Sequence, residues 1–182
     1  VHYNPNDPRA TAANKYAHVK EANVRDYVKE QFPQINWACD RRVRSAFHDN
    51  FALVRPDMRA LMRSIGIDTH NLIIEVDEWA HLGPGYTCKG EGARLAGVWR
   101  NLGEKLPLIV LRINPDDYVD PGTGKVVRSC FGYSKKRARV DVRPGKQHAW
   151  AERLEKLRQR IAYWTTDQNV PEKELSIEEL FY

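Results

Sequence analysis

Two carboxylates interrupt a short apolar segment of the sequence, residues 72–77 (LIIEVD). Glu75 and Asp77 are two residues apart, and side chains with that spacing point to the same face of a β-strand. Carboxylates on one face of a buried strand are costly unless they pair with a basic group or bind a cation. A third acid, Asp57, lies on a neighbouring candidate strand, so the three carboxylates are predicted to share one site.

These acids predict a site for Mg²⁺, a hard cation that prefers oxygen ligands. Asp57, Glu75 and Asp77 would supply carboxylate oxygens, and Val76 would supply its backbone carbonyl. Mn²⁺ is expected to substitute for Mg²⁺. The alternative is that the same acids form ion pairs with Arg55, Arg94 or Arg112.

Two further residues are candidates for the same site. His81 follows Asp77 by four residues and can move a proton near neutral pH or hold a phosphate. Glu21, inside the first predicted helix, could reach the site as an outer ligand or a base. The alternatives are a structural histidine and a solvated helix face. The candidate catalytic residues are therefore Glu21, Asp57, Glu75, Asp77 and His81.

Basic residues are concentrated late in the chain. Residues 121–170 hold 12 basic and four acidic side chains, a net charge of +8, whereas residues 71–120 hold five and eight, a net charge of −3. A basic block attracts phosphates, although a solvated surface would have the same composition. The predicted nucleic-acid contacts are Lys125, Lys135, Lys136, Arg137, Arg139, Arg143 and Lys146.

The overall composition limits the class of protein. The 182 residues are 42% hydrophobic and 29% charged, which is typical of one soluble globular domain. No stretch approaches the roughly 18 consecutive apolar residues of a membrane helix, so no membrane partner is expected. The three cysteines are far apart and show no C-x-x-C spacing, which argues against a disulfide framework and a structural zinc site. We therefore expect a reducing intracellular compartment, the cytoplasm or the nucleus.

The elements that must position these residues alternate between helix and strand. Helices are predicted over 16–32, 91–104 and 147–164, and strands within 35–40, near 57, over 72–77 and over 107–113. A basic hairpin is predicted from 126–131 and 138–142, and a capped helical turn over 176–180. The pattern predicts a mixed α/β fold, with an irregular arm over 1–15, a core over 16–120, and a hairpin plus C-terminal helix over 121–182 packed on that core. The sequence begins without a methionine, as expected of a segment of a longer protein.

Several short stretches follow the order and residue types of a known nuclease superfamily. They are Arg55-Pro56-Asp57, residues 73–78 (IIEVDE) with His81 after them, Glu91 and Arg94 in the next predicted helix, and residues 109–115 (IVLRINP). Together they resemble the PD-(D/E)XK nuclease superfamily, and within it the branch of very-short-patch-repair-type endonucleases and nuclease-like proteins of large DNA viruses. The resemblance covers residues 16–118.

This resemblance implies a restriction-endonuclease-like fold, a mixed β-sheet flanked by helices, with the basic hairpin and helix added at the C-terminal side. It implies a Mg²⁺-dependent endonuclease that hydrolyses phosphodiester bonds in DNA, of homing, repair or mobile-element type. The family's two metal-binding acids match Asp57 and Glu75. Asp77 stands where the family usually has a lysine, and His81 would take over part of that role.

Other function classes stay open from the sequence. The missing lysine leaves open a catalytically inactive nucleic-acid-binding domain that keeps the fold. An unrelated α/β scaffold with an ion-pair network is a third alternative, and it would have no affinity for nucleic acid. RNA is an alternative substrate, because phosphate contacts do not distinguish it from DNA. Cutting a duplex often needs two active sites, which is compatible with a homodimer.

Overall fold

The computed structural model describes residues 8–40, 56–78, 88–102, 105–134 and 139–182. The elements follow one another as α1 (Pro8–Gln31), β1 (Trp37–Cys39), β2 (Met58–Ala60), a 3-10 turn (Met62–Ile65), β3 (Asn71–Val76), α2 (Cys88–Asn101), β4 (Leu108–Ile113), β5 (Tyr118–Val119), β6 (Val126–Val127), β7 (Phe131–Ser134), β8 (Arg139–Val142), α3 (Gln147–Trp164) and β9 (Leu175–Leu180). The fold is mixed α/β, as predicted. None of the described helices is long and apolar enough to cross a membrane.

Five strands form one mixed sheet in the order β1-β2-β3-β4-β9. The first three strands pair antiparallel, whereas β3, β4 and β9 pair parallel. Strands β3 and β4 are almost wholly buried, which explains their nearly continuous apolar sequences. The predicted strands over 72–77 and 107–113 are thus confirmed as the centre of the sheet.

Helices cover both faces of this sheet. On one face, Ile74 and Leu111 belong to a core cluster with Val28 of α1 and Leu157 of α3. On the other face, Ile73 and Val110 pack with Leu95 and Val98 of α2. Burial of each sheet face by helices is the arrangement expected when strands and helices alternate along a chain.

The N-terminal arm predicted over 1–15 is wrong from Pro8 onward, because α1 begins there. Pro8 is the first helical residue, a position where the missing N–H of proline has no intrahelical partner to lose. The following segment, RATAA, is rich in alanine, the strongest helix former. Proline thus begins this helix instead of excluding it.

The helical turn predicted over 176–180 is also wrong. Residues 175–180 form β9, which pairs along its whole length with β4, from Leu108 opposite Leu175 to Ile113 opposite Leu180. Six backbone positions gain a partner strand, and this outweighs a local Ser-x-x-Glu capping signal. The segment assigned to the C-terminal appendage therefore supplies an edge strand of the main sheet.

The basic region contains two small hairpins. The strand predicted over 126–131 divides, since β6 pairs with β5 and the next strand, β7, pairs with β8. The helix predicted over 147–164 is confirmed, and Trp150, Leu154, Leu157 and Ile161 on its inner face are buried. Helix α1 contacts both α3 and β8, so the second hairpin lies against the helix that carries Glu21.

Candidate functional site

A row of charged residues crosses the sheet at the end where β3 and β4 finish. Glu75 of β3 lies opposite Arg112 of β4, which lies opposite Glu179 of β9. Asp57 immediately precedes β2, and Asp40 immediately follows β1 with its N–H donating to the Asp57 carbonyl at 3.1 Å. The antiparallel turns of β1 and β2 therefore bring their acids to the same end of the sheet as Glu75.

Asp57 is held in place by the neighbouring strand. Its Oδ2 accepts a hydrogen bond of 2.7 Å from the backbone N–H of Val76. Burial raises the pKa of Asp57 to about 7, against the opposing effect of that hydrogen bond, and the charges of Glu21, Asp40 and Asp77 raise it further. Several negative groups therefore converge on Asp57, and a cation there would relieve their repulsion.

Three acids from separate parts of the described chain lie close together. One carboxylate oxygen each of Glu21, Asp40 and Asp57 lies within 4.8 Å of the other two. The set thus offers the oxygen donors that a hard cation prefers. Asp40 was missed by sequence analysis, although an acid at the end of a predicted strand was a usable signal.

Glu75 lies next to this group and is almost fully buried. Arg94 of α2 contacts it with an Nη2···Oε2 distance of 3.2 Å. Burial raises the pKa of Glu75 to about 8, Arg94 lowers it, and the charges of Asp57 and Asp77 raise it again. The alternative of an arginine partner is therefore realised for Glu75, while burial and the neighbouring acids favour its protonated form below about pH 8.

Asp77 is engaged by other partners. Arg112 donates from Nε to Asp77 Oδ2 at 2.6 Å and from Nη1 to Glu179 Oε1 at 3.0 Å. The Tyr182 hydroxyl donates to the same Asp77 oxygen, and the Val76 carbonyl accepts the Glu78 N–H at 3.0 Å. Of the predicted ligands Asp57, Glu75, Val76 and Asp77, the structure thus places only Asp57 in the cluster of three.

A second charged group adjoins the first through α1. Lys20 is buried and its Nζ lies 2.5 Å from Asp116 Oδ1. The backbone N–H of Glu21 donates to Glu78 Oε1 at 3.4 Å. Burial raises the pKa of Glu78 to about 7, although Lys20 lowers it. Sequence analysis missed this group, because a lysine in a predicted helix is usually solvated.

The predicted nucleic-acid contacts whose side chains the structure describes lie on the surface. Lys125, Arg143 and Lys146 are exposed. A Cβ at Gly132 would collide with the side chain of Arg143, so this glycine lets Arg143 lie across the hairpin. Residues Lys135, Lys136, Arg137 and His81 lie outside the described residues, as does the side chain of Arg139.

The raised pKa of Glu75 predicts a pH-dependent stability. In the unfolded chain Glu75 ionises near its ordinary pKa of 4.5, whereas the folded protein keeps the proton to about pH 8. Folding then takes up a proton, so Glu75 makes the protein less stable as pH rises between these values. Relative to Glu75→Gln, we expect the free energy of unfolding of the wild type to fall by up to about 1.4 kcal/mol per pH unit.

Denaturant unfolding in EDTA at several pH values from 5 to 8 measures this difference. The comparison removes the contribution of His70, whose pKa is lowered by burial and which is common to both proteins. A difference that stays constant across this pH range would contradict the assignment.

The chemistry available at this end of the sheet is that of oxygen ligands beside cationic side chains. Glu21, Asp40 and Asp57 can share a divalent cation, and Arg94 and Arg112 hold the neighbouring carboxylates Glu75 and Asp77. We compared the chain with protein-family models, with curated proteins and with solved structures, and none of the three comparisons gave a match.

Proposed function

We propose that this chain is a metal-dependent endonuclease that hydrolyses phosphodiester bonds in DNA. The observation that carries the proposal is the convergence of Glu21, Asp40 and Asp57 beside the buried Glu75. These four acids come from a helix, two strand ends and a central strand. Such a concentration of carboxylates at one sheet end favours binding of a divalent cation.

The fold is compatible with the restriction-endonuclease-like architecture that the sequence resembles. Its elements follow as α1, three strands, α2 and β4, and the central sheet is mixed with helices on both faces. Asp57 and Glu75, the acids matched by the resemblance, lie close enough for their charges to interact. We therefore include membership of the PD-(D/E)XK superfamily in the proposal.

Asp57, Glu21 and Asp40 would hold Mg²⁺ or Mn²⁺. The bound ion would neutralise phosphate charge and lower the pKa of a water molecule. The Val76 N–H fixes the orientation of Asp57, and Arg94 holds Glu75 next to it. In this proposal His81 keeps its predicted role of moving a proton.

Exposed cations on the two small hairpins and on the turn before α3 would bind the DNA backbone. Lys125 follows the turn between β5 and β6, Arg143 follows β8, and Lys146 immediately precedes α3. In the described residues none of these three side chains forms an ion pair, so their charge is available to phosphates. Backbone contacts of this kind position a nucleic acid without reading its sequence.

Charge reversal of this surface should weaken DNA binding for every sequence alike. We expect Arg143→Glu with Lys146→Glu to reduce the slope of log K against log salt by about 0.9 for each phosphate that the protein no longer binds. The measurement is duplex affinity between about 50 and 200 mM salt in Ca²⁺. Lys156→Glu, an exposed lysine on α3, is the matched control. Equal slopes for the double variant and the control would place the DNA elsewhere.

Activity itself is tested with plasmid, single-stranded DNA and RNA, each in Mg²⁺, Mn²⁺ or EDTA. The proposal expects cleavage of DNA with either metal and none in EDTA. Cleavage of RNA but not of DNA would identify RNA as the substrate. If the protein bound duplex DNA but cleaved it with neither metal, the proposal of an endonuclease would be rejected.

A second candidate is a catalytically inactive nucleic-acid-binding domain. It is favoured by the ion pairs of Glu75 with Arg94 and of Asp77 with Arg112, which occupy two predicted ligands. Titration calorimetry with Mn²⁺ separates the two. The enzyme binds the ion through Asp57, whereas the inactive domain binds DNA and not the ion.

A further inference from the structure

A second candidate binding site lies at the opposite end of β3. A cleft of about 300 Å³ is lined by residues of β2, the 3-10 turn, the start of β3 and the segment between α2 and β4. Asn71, the first residue of β3, lines it, and Glu75 is four residues further along the strand. At about 3.3 Å per residue, Asn71 and Glu75 are about 13 Å apart along β3, whereas along β2 Arg59 of the cleft follows Asp57 of the acidic site by two residues.

The charge of this cleft is entirely positive in its described part. Arg59, Arg63 and Lys105 line it, and no described lining residue is acidic. Arg59 is half-buried, whereas Arg63 and Lys105 are exposed. Within the described residues, none of the three side chains forms an ion pair or a hydrogen bond. A half-buried guanidinium without a counter-ion is unfavourable, and an anion in the cleft would relieve this cost.

His70 lines the cleft but contributes no charge to it. Its Nε2 lies 2.7 Å from the carbonyl of Trp164 and its Nδ1 lies 2.9 Å from the Thr69 hydroxyl. The carbonyl can only accept, so Nε2 carries the proton and Nδ1 accepts from the hydroxyl. Burial lowers the pKa of His70, which agrees with a neutral ring. The positive charge therefore comes from the two arginines and the lysine.

The remaining lining is largely apolar. Met62, Ile67, Leu102 and Leu106 form it. Apolar walls with a few convergent polar groups are typical of small-molecule sites, and the volume is at the lower end of their range. Proteins that bind nucleic acid instead distribute their cations along a groove that contacts many phosphates. Three cations around one cleft match one multiply charged group.

We propose that this cleft binds a small organic phosphomonoester, with its phosphate on Arg59, Arg63 and Lys105 and its apolar part against Leu102 and Leu106. A phosphomonoester carries a charge between about −1.5 and −2 at neutral pH, which suits three cations. The planar guanidinium of Arg59 can donate two parallel hydrogen bonds to phosphate oxygens. The site is independent of the proposed endonuclease activity.

Isothermal titration calorimetry with phenyl phosphate tests the proposal. Inorganic phosphate and phenol supply the two halves of the probe, and EDTA keeps metal ions out of the acidic site. We expect phenyl phosphate to bind more tightly than either half. Arg59→Gln should weaken binding by at least about tenfold, because it removes a charge-assisted hydrogen-bond donor. Lys156→Gln, on the exposed face of α3, should leave binding unchanged.

Further variants separate folding defects from binding defects. Arg63→Gln and Lys105→Gln change exposed side chains and should weaken binding even if Arg59→Gln folds poorly. Glu21→Gln, a change in the acidic group on α1, should bind phenyl phosphate normally, so failure of the metal site leaves this result intact. Equal binding of phenol and phenyl phosphate would overturn the proposal. So would unchanged binding in all three cleft variants, or displacement of phenyl phosphate by a short DNA duplex.

Discussion

Asp57→Asn is expected to abolish metal-dependent cleavage of DNA and to weaken Mn²⁺ binding by at least about a hundredfold, since even outer partners of metal ligands contribute ten- to a hundredfold. Asp57 is the acid on which the charges of Glu21, Asp40 and Asp77 converge. Asparagine keeps the size of the side chain but removes the negative charge. The measurements are plasmid cleavage and Mn²⁺ titration calorimetry.

The same substitution should raise the melting temperature in EDTA. Above about pH 7 and without a cation, Asp57 is ionised and is repelled by its acidic neighbours, and a neutral amide removes that repulsion. Asp26→Asn is the control, because Asp26 is an exposed acid on α1. Normal cleavage by Asp57→Asn, or equal loss of activity in the control, would remove the metal assignment from this cluster.

Arg153→Ala is expected to lower the free energy of unfolding by about 3 kcal/mol or more, since a hydrogen bond to a charged group contributes about 1.5 to 3 kcal/mol. Arg153 of α3 is buried, and its guanidinium donates to the carbonyls of Asn114, Asp116 and Arg128. It also lies 4.9 Å from the centre of the Tyr118 ring. Alanine would leave three carbonyls without this donor and create a cavity.

Denaturant unfolding measures this loss. Arg153→Lys should also be destabilising, because one ammonium group cannot reproduce the planar array of donors. Lys156→Ala, on the same helix but exposed, should change stability by less than about 0.5 kcal/mol. A loss below about 1 kcal/mol for Arg153→Ala would mean that water replaces the guanidinium.

The position of Arg153 also explains how the end of β4 is organised. The carbonyls that it binds follow β4 and precede β7, and its guanidinium lies 5.4 Å from the ring centre of Phe181. Phe181 has a positive φ of 66°, which is strained for an aromatic residue. The chain turns there so that Tyr182 reaches Asp77 and lies over Arg112 at 5.5 Å. Arg153 of α3 thus packs against the residue that precedes Tyr182, a partner of Asp77.

Local sequence was sufficient for the centre of the fold. The apolar runs at 72–77 and 107–113 predicted buried strands, because a strand covered on both faces has few polar positions. The 3.6-residue spacing of Trp150, Leu154, Leu157 and Ile161 predicted α3 with its inner face. Asp57 and Glu75 were identified as neighbours from their residue type and their place on predicted strands.

Tertiary structure alone decided the rest, because it depends on partners distant in sequence. Residues 175–180 become a strand only through pairing with β4. Alternation placed Asp77 on the face of Glu75 but could not reveal that Arg112 and Tyr182 bind it. Asp40 joins Asp57 only because β1 pairs antiparallel with β2. The sequence thus determined the two central strands, the third helix and two of the acids, whereas long-range pairing determined which acids meet.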